Sequence, residues 1–214
     1  VPLGAAALAP GALAATTAAL CTAVAGHLEI AREHDVDVLR VVGTAALRAA
    51  EDPDALCAAV RAAAGTDVEI LTPQEEARLA FRGATGTLLS PHALPGEVAV
   101  VDVGGGSTEV AVGEPPGAVR WWRSVPLGSA ALTAAHVRAD PPACAEIDAM
   151  RAAAAEALRF PAAPRPMLTY AVGGSAASLP RIVGAQVTPE AAERAVALLT
   201  AAPAARVAAE HGLD

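Results

Sequence analysis

The sequence predicts an α/β protein of two domains, and three observations carry that prediction. Short β-branched runs alternate with longer Ala- and Leu-rich runs of helical periodicity, and the second half reads βββ-α-α-β-α-α. The stretch Ser90-Pro91-His92-Ala93-Leu94-Pro95-Gly96 carries two prolines and a glycine. It reads as the boundary between a first domain, 1–90, and a second, 96–214. Finally, Gly104-Gly105-Gly106-Ser107 joins two runs that both alternate like strands, so this glycine-rich loop lies in a hairpin rather than at a helix start.

Each element has a local reason. Leu13 to His34 is a helix, because Leu20, Val24, His27, Leu28 and Ala31 recur at helical spacing. Asp37 to Val42 is a short β-branched strand, followed by a Gly43-Thr44 turn and a helical turn from Ala45 to Ala50 that carries Arg48. Pro53 to Ala64 is a helix with Asp52 as N-cap and Gly65 as its stop. Val68 to Leu71 is a strand. Pro73 to Gly83 is a helix, with Thr72 as N-cap and Glu75 at the capping-box position. Beyond the boundary come strands at Val98–Val103, Thr108–Gly113 and Ala118–Val125, with Pro115-Pro116-Gly117 turning the chain between the last two. Helices follow at Gly128–Val137 and Cys144–Leu158. A strand at Met167–Val172 leads through Gly173-Gly174 into a helix, Ser175–Val183. Helices at Pro189–Leu199 and Ala204–His211 end the chain.

Composition excludes several chemistries. All 15 basic residues of the 214 are Arg; there is no Lys and no Asn. Schiff-base chemistry, a Walker-A loop and a Lys base are therefore excluded, and an anion must be held by Arg, backbone N–H groups or a metal. The net charge of −8 argues against a nucleic-acid binder. Mean hydropathy is +0.42, but it comes mostly from Ala. The most apolar stretch, Ala5 to Gly26, is broken by Pro10-Gly11 and three threonines, so no membrane span is expected. No basic residue precedes Arg32, so no secretory signal is expected either. Cys21, Cys57 and Cys144 are odd in number and far apart. They read as buried small hydrophobes in a reducing cytoplasm. The Arg-only, Ala-rich usage points to a GC-rich bacterial genome.

Four segments carry candidate chemistry. The first is Asp102-Val-Gly104-Gly105-Gly106-Ser107-Thr108-Glu109 between strands. Its glycines let backbone N–H groups approach a phosphate. Ser107 and Thr108 add hydroxyls, and Asp102 at the strand end would face a metal; the competing reading is an ordinary glycine hairpin. The second is Arg48, one helical turn beyond a small-residue turn. It could fork onto phosphate oxygens, or be a surface residue. The third is Glu75-Glu76 at a helix start: either both serve the helix macrodipole, or one polarises a water for attack on phosphorus. The fourth is Gly173-Gly174 between strand and helix, another anion-friendly end or a plain β–α turn.

Taken together and in order, these pieces resemble the Ppx/GppA phosphatase family, the exopolyphosphatases and guanosine pentaphosphate phosphohydrolases. The resemblance starts near Leu3-Gly4 and Gly11. It runs through Thr44–Ala50, Gln74–Leu79, Asp102–Glu109 and Ser124–Thr133 to Gly173–Leu179. Ser175 stands where the family usually has Thr. The family's first D-x-G-S phosphate loop, expected before Val1, and its last strand and helix are absent. The chain therefore reads as a fragment or a degenerate copy. The resemblance implies an actin-like (ASKHA, ribonuclease H-like) two-domain fold with an incomplete N-terminal domain and a hinge at Ser90–Gly96. It implies a cytoplasmic hydrolase that releases the terminal phosphate of polyphosphate or guanosine pentaphosphate. In that scheme Glu76 is the water-activating carboxylate, Arg48 holds the phosphate, and Asp102 and Glu109 bind Mg²⁺. Gly104, Gly105, Gly106, Ser107, Thr108, Gly173 and Gly174 bind phosphate. A non-catalytic polyphosphate or alarmone sensor and another actin-fold phosphotransferase are the alternatives. The thinned first sheet would leave Val38–Val42 at an unpaired edge that invites association, most simply a homodimer.

Overall fold

The computed structural model describes residues 13–86, 96–184 and 186–213. The chain falls into two compact units, Val1–Glu76 and Ala77–Asp214. The expected linker residues Ser90–Pro95, and the start of the resemblance at Leu3-Gly4 and Gly11, lie outside the described residues.

The first unit is built on two helices and a small parallel sheet. Helix α1, Leu13–Glu33, packs against α3, Pro53–Ala64. Asp52 caps α3 by accepting from the Ala55 N–H at 2.9 Å, and Gly65 ends it at φ +68°, a conformation glycine adopts without strain. Strand β1, Val41–Gly43, pairs in parallel with β2, Val68–Ile70, and the short α2, Ala45–Arg48, follows β1. Leu47 and Leu56 form the core here, with Leu20, Ala50, Cys57, Val68 and Ile70 packed around them. The expected strand at Asp37–Val42 is real only from Val41. The partner strand offers three rungs, and a chain with nothing to pair against does not register as strand.

Helix α4, Pro73–Gly86, opens with the predicted capping box: the Thr72 N–H donates to Glu75 Oε2 at 2.8 Å, and the Glu75 N–H donates to Thr72 Oγ1 at 3.2 Å. It runs three residues beyond the expected end because Thr85 is buried and its hydroxyl returns to the Phe81 carbonyl.

In the second unit β3 (Val98–Val103), β4 (Thr108–Glu114) and β5 (Ala118–Val125) form an antiparallel meander. Strand β6, Thr169–Val172, joins β3 in parallel, giving the order β5-β4-β3-β6. The β4–β5 register shifts by one residue between Val112 and Gly113, a bulge. Gly113 belongs there, since a Cβ would lie 2.1 Å from the Ala118 carbonyl oxygen. One face of the sheet carries the main core: Val98, Val100 and Ala111 close on Ala77 and Phe81 of α4, with Trp122, Tyr170 and Val172 at the margin. Beyond β5 come α5 (Ser129–His136) and α6 (Cys144–Ala157). The expected single helix Ser175–Val183 is two, α7 (Gly174–Ser178) and α8 (Pro180–Val183). Pro180 has no N–H to continue the ladder, and the Leu179 N–H tightens onto Ala176 instead. Helices α9, Pro189–Leu199, and α10, Ala204–His211, match their expected bounds.

Among the described residues no helix is long and apolar enough to cross a membrane. The expectation of buried cysteines is corrected at Cys144, which is exposed at the start of α6; Cys21 and Cys57 are half-buried. Burial, reinforced by nearby Asp54, pushes the Cys57 thiol up.

Candidate functional site

The antiparallel registers bring together residues far apart in the chain. Asp102 of β3 lies directly opposite Glu109 of β4, and Glu109 lies directly opposite Ser124 of β5. Opposed residues in antiparallel strands share a face, so Asp102, Glu109 and Ser124 form a row across three strands. Glu109 is 2% exposed. Its Oε1 accepts from Ser124 Oγ at 2.7 Å, the polar partner that a buried carboxylate requires.

The glycine loop sits at the end of this row. The Gly104 N–H turns inward to the Ser107 carbonyl at 3.0 Å, closing the tight turn, while Gly105 and Gly106 are exposed. Ser107 and Thr108 are buried, and Thr108 Oγ1 donates to the Leu127 carbonyl at 2.6 Å. From outside the loop, the Ser129 N–H donates to the Gly104 carbonyl at 2.9 Å and the Ala131 N–H to the Gly105 carbonyl at 3.0 Å. The start of α5 is thus spent on holding the loop. Gly128 allows the approach: a Cβ there would lie 2.4 Å from the Gly105 carbonyl carbon.

Gly173 completes this end of the sheet. Val172 pairs with Asp102, and Gly173 follows with φ +95° at the N-cap of α7. A Cβ at Gly173 would lie 2.5 Å from the Val103 carbonyl oxygen and 3.0 Å from Asp102 Oδ1. Gly174, by contrast, faces open space. The second unit therefore gathers Asp102, Gly104–Gly106, Glu109 and Gly173 at the carboxyl end of β3. That is where ligands lodge in open α/β sheets.

The first unit holds its own pair. Arg48 Nη1 donates to the Leu71 carbonyl at 2.6 Å, and Arg48 Nη2 lies 2.8 Å from Glu76 Oε2. That ion pair is largely buried, with side chains 21% and 14% exposed. It sits off the line of a hydrogen bond, and no other donor reaches the buried Glu76 Oε2. The two adjacent glutamates thus have different work: Glu75 is taken up by the capping box, whereas Glu76 points to Arg48.

Two residues without a sequence-derived role belong to this account, Ser124 and Gly128. The Gly-x-x-x-Leu run after β5 was visible, but its docking on the glycine loop depends on tertiary contacts.

The magnesium ion that the resemblance implies fits the donors present. Mg²⁺ takes one or two carboxylates and fills its remaining positions with waters and phosphate oxygens. Asp102 and Glu109 are hard oxygen donors at directly opposed positions of neighbouring strands, the donor type this ion takes. Among the described residues no group of three or more His, Cys, Asp or Glu side chains converges. A dedicated all-protein cage of the calcium or zinc kind is thus not built from them.

The chain is 37% identical to exopolyphosphatase 2 of Mycobacterium tuberculosis over 148 residues, 67% of this chain and 44% of that protein. It therefore spans less than half the length of that relative. It is also 37% identical over 76 residues, 36% of this chain, to a guanosine-5'-triphosphate,3'-diphosphate pyrophosphatase of Photobacterium profundum, of which it covers 14%. The fold is that of the Aquifex aeolicus Ppx/GppA crystal structure, with a TM-score of 0.73 at 23% identity over 99% of this chain and 72% of that one. The glycine loop with its opposed carboxylates and the Arg48–Glu76 pair all lie within residues 9–202, the span matched by the family model, and the chain belongs to the Ppx/GppA phosphatase family.

Proposed function

We infer that the protein is a phosphoanhydride hydrolase that releases the terminal phosphate of inorganic polyphosphate or guanosine pentaphosphate. The observation that carries this reading is the mostly buried Arg48–Glu76 pair, in which Glu76 Oε2 lies 2.8 Å from Arg48 Nη2, beside a glutamate already engaged in helix capping. A carboxylate held by a guanidinium rather than spent on helix capping supports the reading of Glu76 as the group that polarises a reacting water.

In this reading the exposed Gly105 and Gly106 supply N–H groups to the terminal phosphate. Gly104 acts through the shape of the turn, because its own N–H is committed to Ser107. Ser107, Thr108, Gly173 and Gly174 shape the rest of that phosphate end. Arg48 has a fork of five donors. It orients Glu76 and offers its remaining N–H groups to phosphate oxygens. Glu76 takes a proton from water as the water oxygen bonds to the terminal phosphorus. The bridging P–O bond breaks, and its electron pair leaves with the shortened chain. Asp102 and Glu109 would hold Mg²⁺, which when bound supplies neutralisation of phosphate charge.

The test is Glu76→Gln in the whole protein, assayed separately with polyphosphate and guanosine pentaphosphate in the presence of Mg²⁺. The amide keeps size and shape but accepts no proton. Phosphate release should fall on the order of 10²–10⁴-fold with substrate affinity nearly unchanged. A variant with more than about half the wild-type turnover, on the scale of general-base losses, refutes Glu76 as base. Binding without turnover in the wild type would make the protein a sensor. Phosphate transfer to an added acceptor would make it a phosphotransferase.

A further inference from the structure

We propose that Ser124 is a positioning residue for the metal-binding carboxylates. Its hydroxyl fixes the Glu109 carboxylate opposite Asp102, so that the pair presents a divalent cation with one geometry. This rests on the reading of Asp102 and Glu109 as the Mg²⁺ pair.

Three observations carry it. Ser124 and Glu109 are register partners, so the 2.7 Å bond between Oγ and Oε1 spans adjacent strands rather than a loop. Glu109 is almost fully buried, and a carboxylate removed from water keeps its charge only where fixed donors replace the solvent. Asp102 is the register partner on the other side of Glu109, so a rotation of the Glu109 carboxyl changes what Asp102 faces. The hydroxyl donates to Oε1 and so fixes the orientation of the carboxylate plane. Partners that orient metal ligands in this way typically contribute 10–100-fold in metal affinity.

The experiment measures binding of Mn²⁺, a spectroscopic stand-in for Mg²⁺, to the full chain by electron paramagnetic resonance. The proteins are the wild type, Ser124→Ala, Ser124→Thr, Ser124→Cys and Asp102→Asn. Ser124→Ala should weaken Mn²⁺ binding by about tenfold or more. Ser124→Thr, which keeps the hydroxyl, should return it to within about threefold of wild type, a small part of that loss. Asp102→Asn should weaken it at least as much as Ser124→Ala does. Should Ser124→Ala not fold, Ser124→Cys replaces it: a weak donor giving reduced affinity supports the proposal, and unchanged affinity overturns it. A metal-binding wild type in which Asp102→Asn loses affinity and Ser124→Ala does not overturns the positioning role alone. A wild type that binds no Mn²⁺, or an Asp102→Asn variant with unchanged affinity, overturns the metal reading and this proposal with it.

Discussion

Replacing Gly128 by Ala tests how tightly the glycine loop must be held. The new Cβ would lie 2.4 Å from the Gly105 carbonyl carbon and 2.5 Å from both the Gly105 oxygen and the Gly106 nitrogen. All three are backbone atoms, so no flexible side chain can give way. Ordinary contact begins near 3.4 Å, so the loop or the start of α5 must retreat by about 1 Å, and a misplacement of that size costs about 10²-fold in a positioned reaction. The same shift stretches the bonds from Ser129 to Gly104 and from Ala131 to Gly105, now 2.9 and 3.0 Å. At about 1 kcal/mol each, their loss lowers Tm by about 4–8 °C for a chain of this size. The assay is phosphate release by the whole protein, with thermal melting alongside. Gly26→Ala is the control. Gly26 lies inside α1 with nothing within 4 Å of an added Cβ. That variant should keep its rate and gain about 0.5–1 kcal/mol. A Gly128→Ala protein releasing phosphate within about threefold of wild type would refute the reasoning, since the argued displacement is worth far more.

Two further outcomes follow from single contacts. Glu146 accepts from the N–H groups of Ala143 and Arg138, which hold its carboxyl below the ordinary 4.5. A lowered folded-state value means its contribution is fully present above the ordinary value and lost as pH falls through the lowered one. Glu146→Gln should therefore flatten the stability-versus-pH curve on that acid limb, and an unchanged limb in denaturant titrations would contradict this. At the other end of the chain, Val38 is 79% exposed beside half-exposed Leu39 and Val42, and β2 is the one strand that pairs with β1 among the described residues. We expect self-association through this edge, which Val38→Lys should reduce in sedimentation velocity; identical profiles for both proteins would exclude the edge as the contact.

Local signals were the most legible. The caps at Asp52 and Thr72 and the stop at Gly65 follow from residues three or four apart, and α3, β3, β5, α9 and α10 lie at their expected bounds. The split at Pro180 was readable in principle, yet helix formers on either side hid it. The glutamate pair was half legible: the capping box marked Glu75, but Glu76 acquires its role from Arg48, 28 positions away in the chain and brought near by the β1–β2 pairing. The glycine loop announced itself through flanking strands. Ser124 and Gly128 did not, because their partners are set by strand register and helix docking, which composition does not encode.

The bulge beside Gly113 decides the charge of the site. Counting back from the Pro115–Gly117 turn without it, Glu109 would oppose Arg123, and a guanidinium would neutralise the carboxylate as an internal salt. The one extra residue, Arg120, advances β5 so that Ser124 arrives instead, and it exchanges the faces of the two tryptophans. Trp122 goes to the core, while Trp121 meets Phe160 edge-on with Arg123 over its ring. An alcohol orients Glu109 without bringing a cation beside it. Deleting Arg120 would set Arg123 opposite Glu109 and replace a carboxylate–alcohol contact by an internal salt bridge, changing the charge of the row without substituting any residue in it.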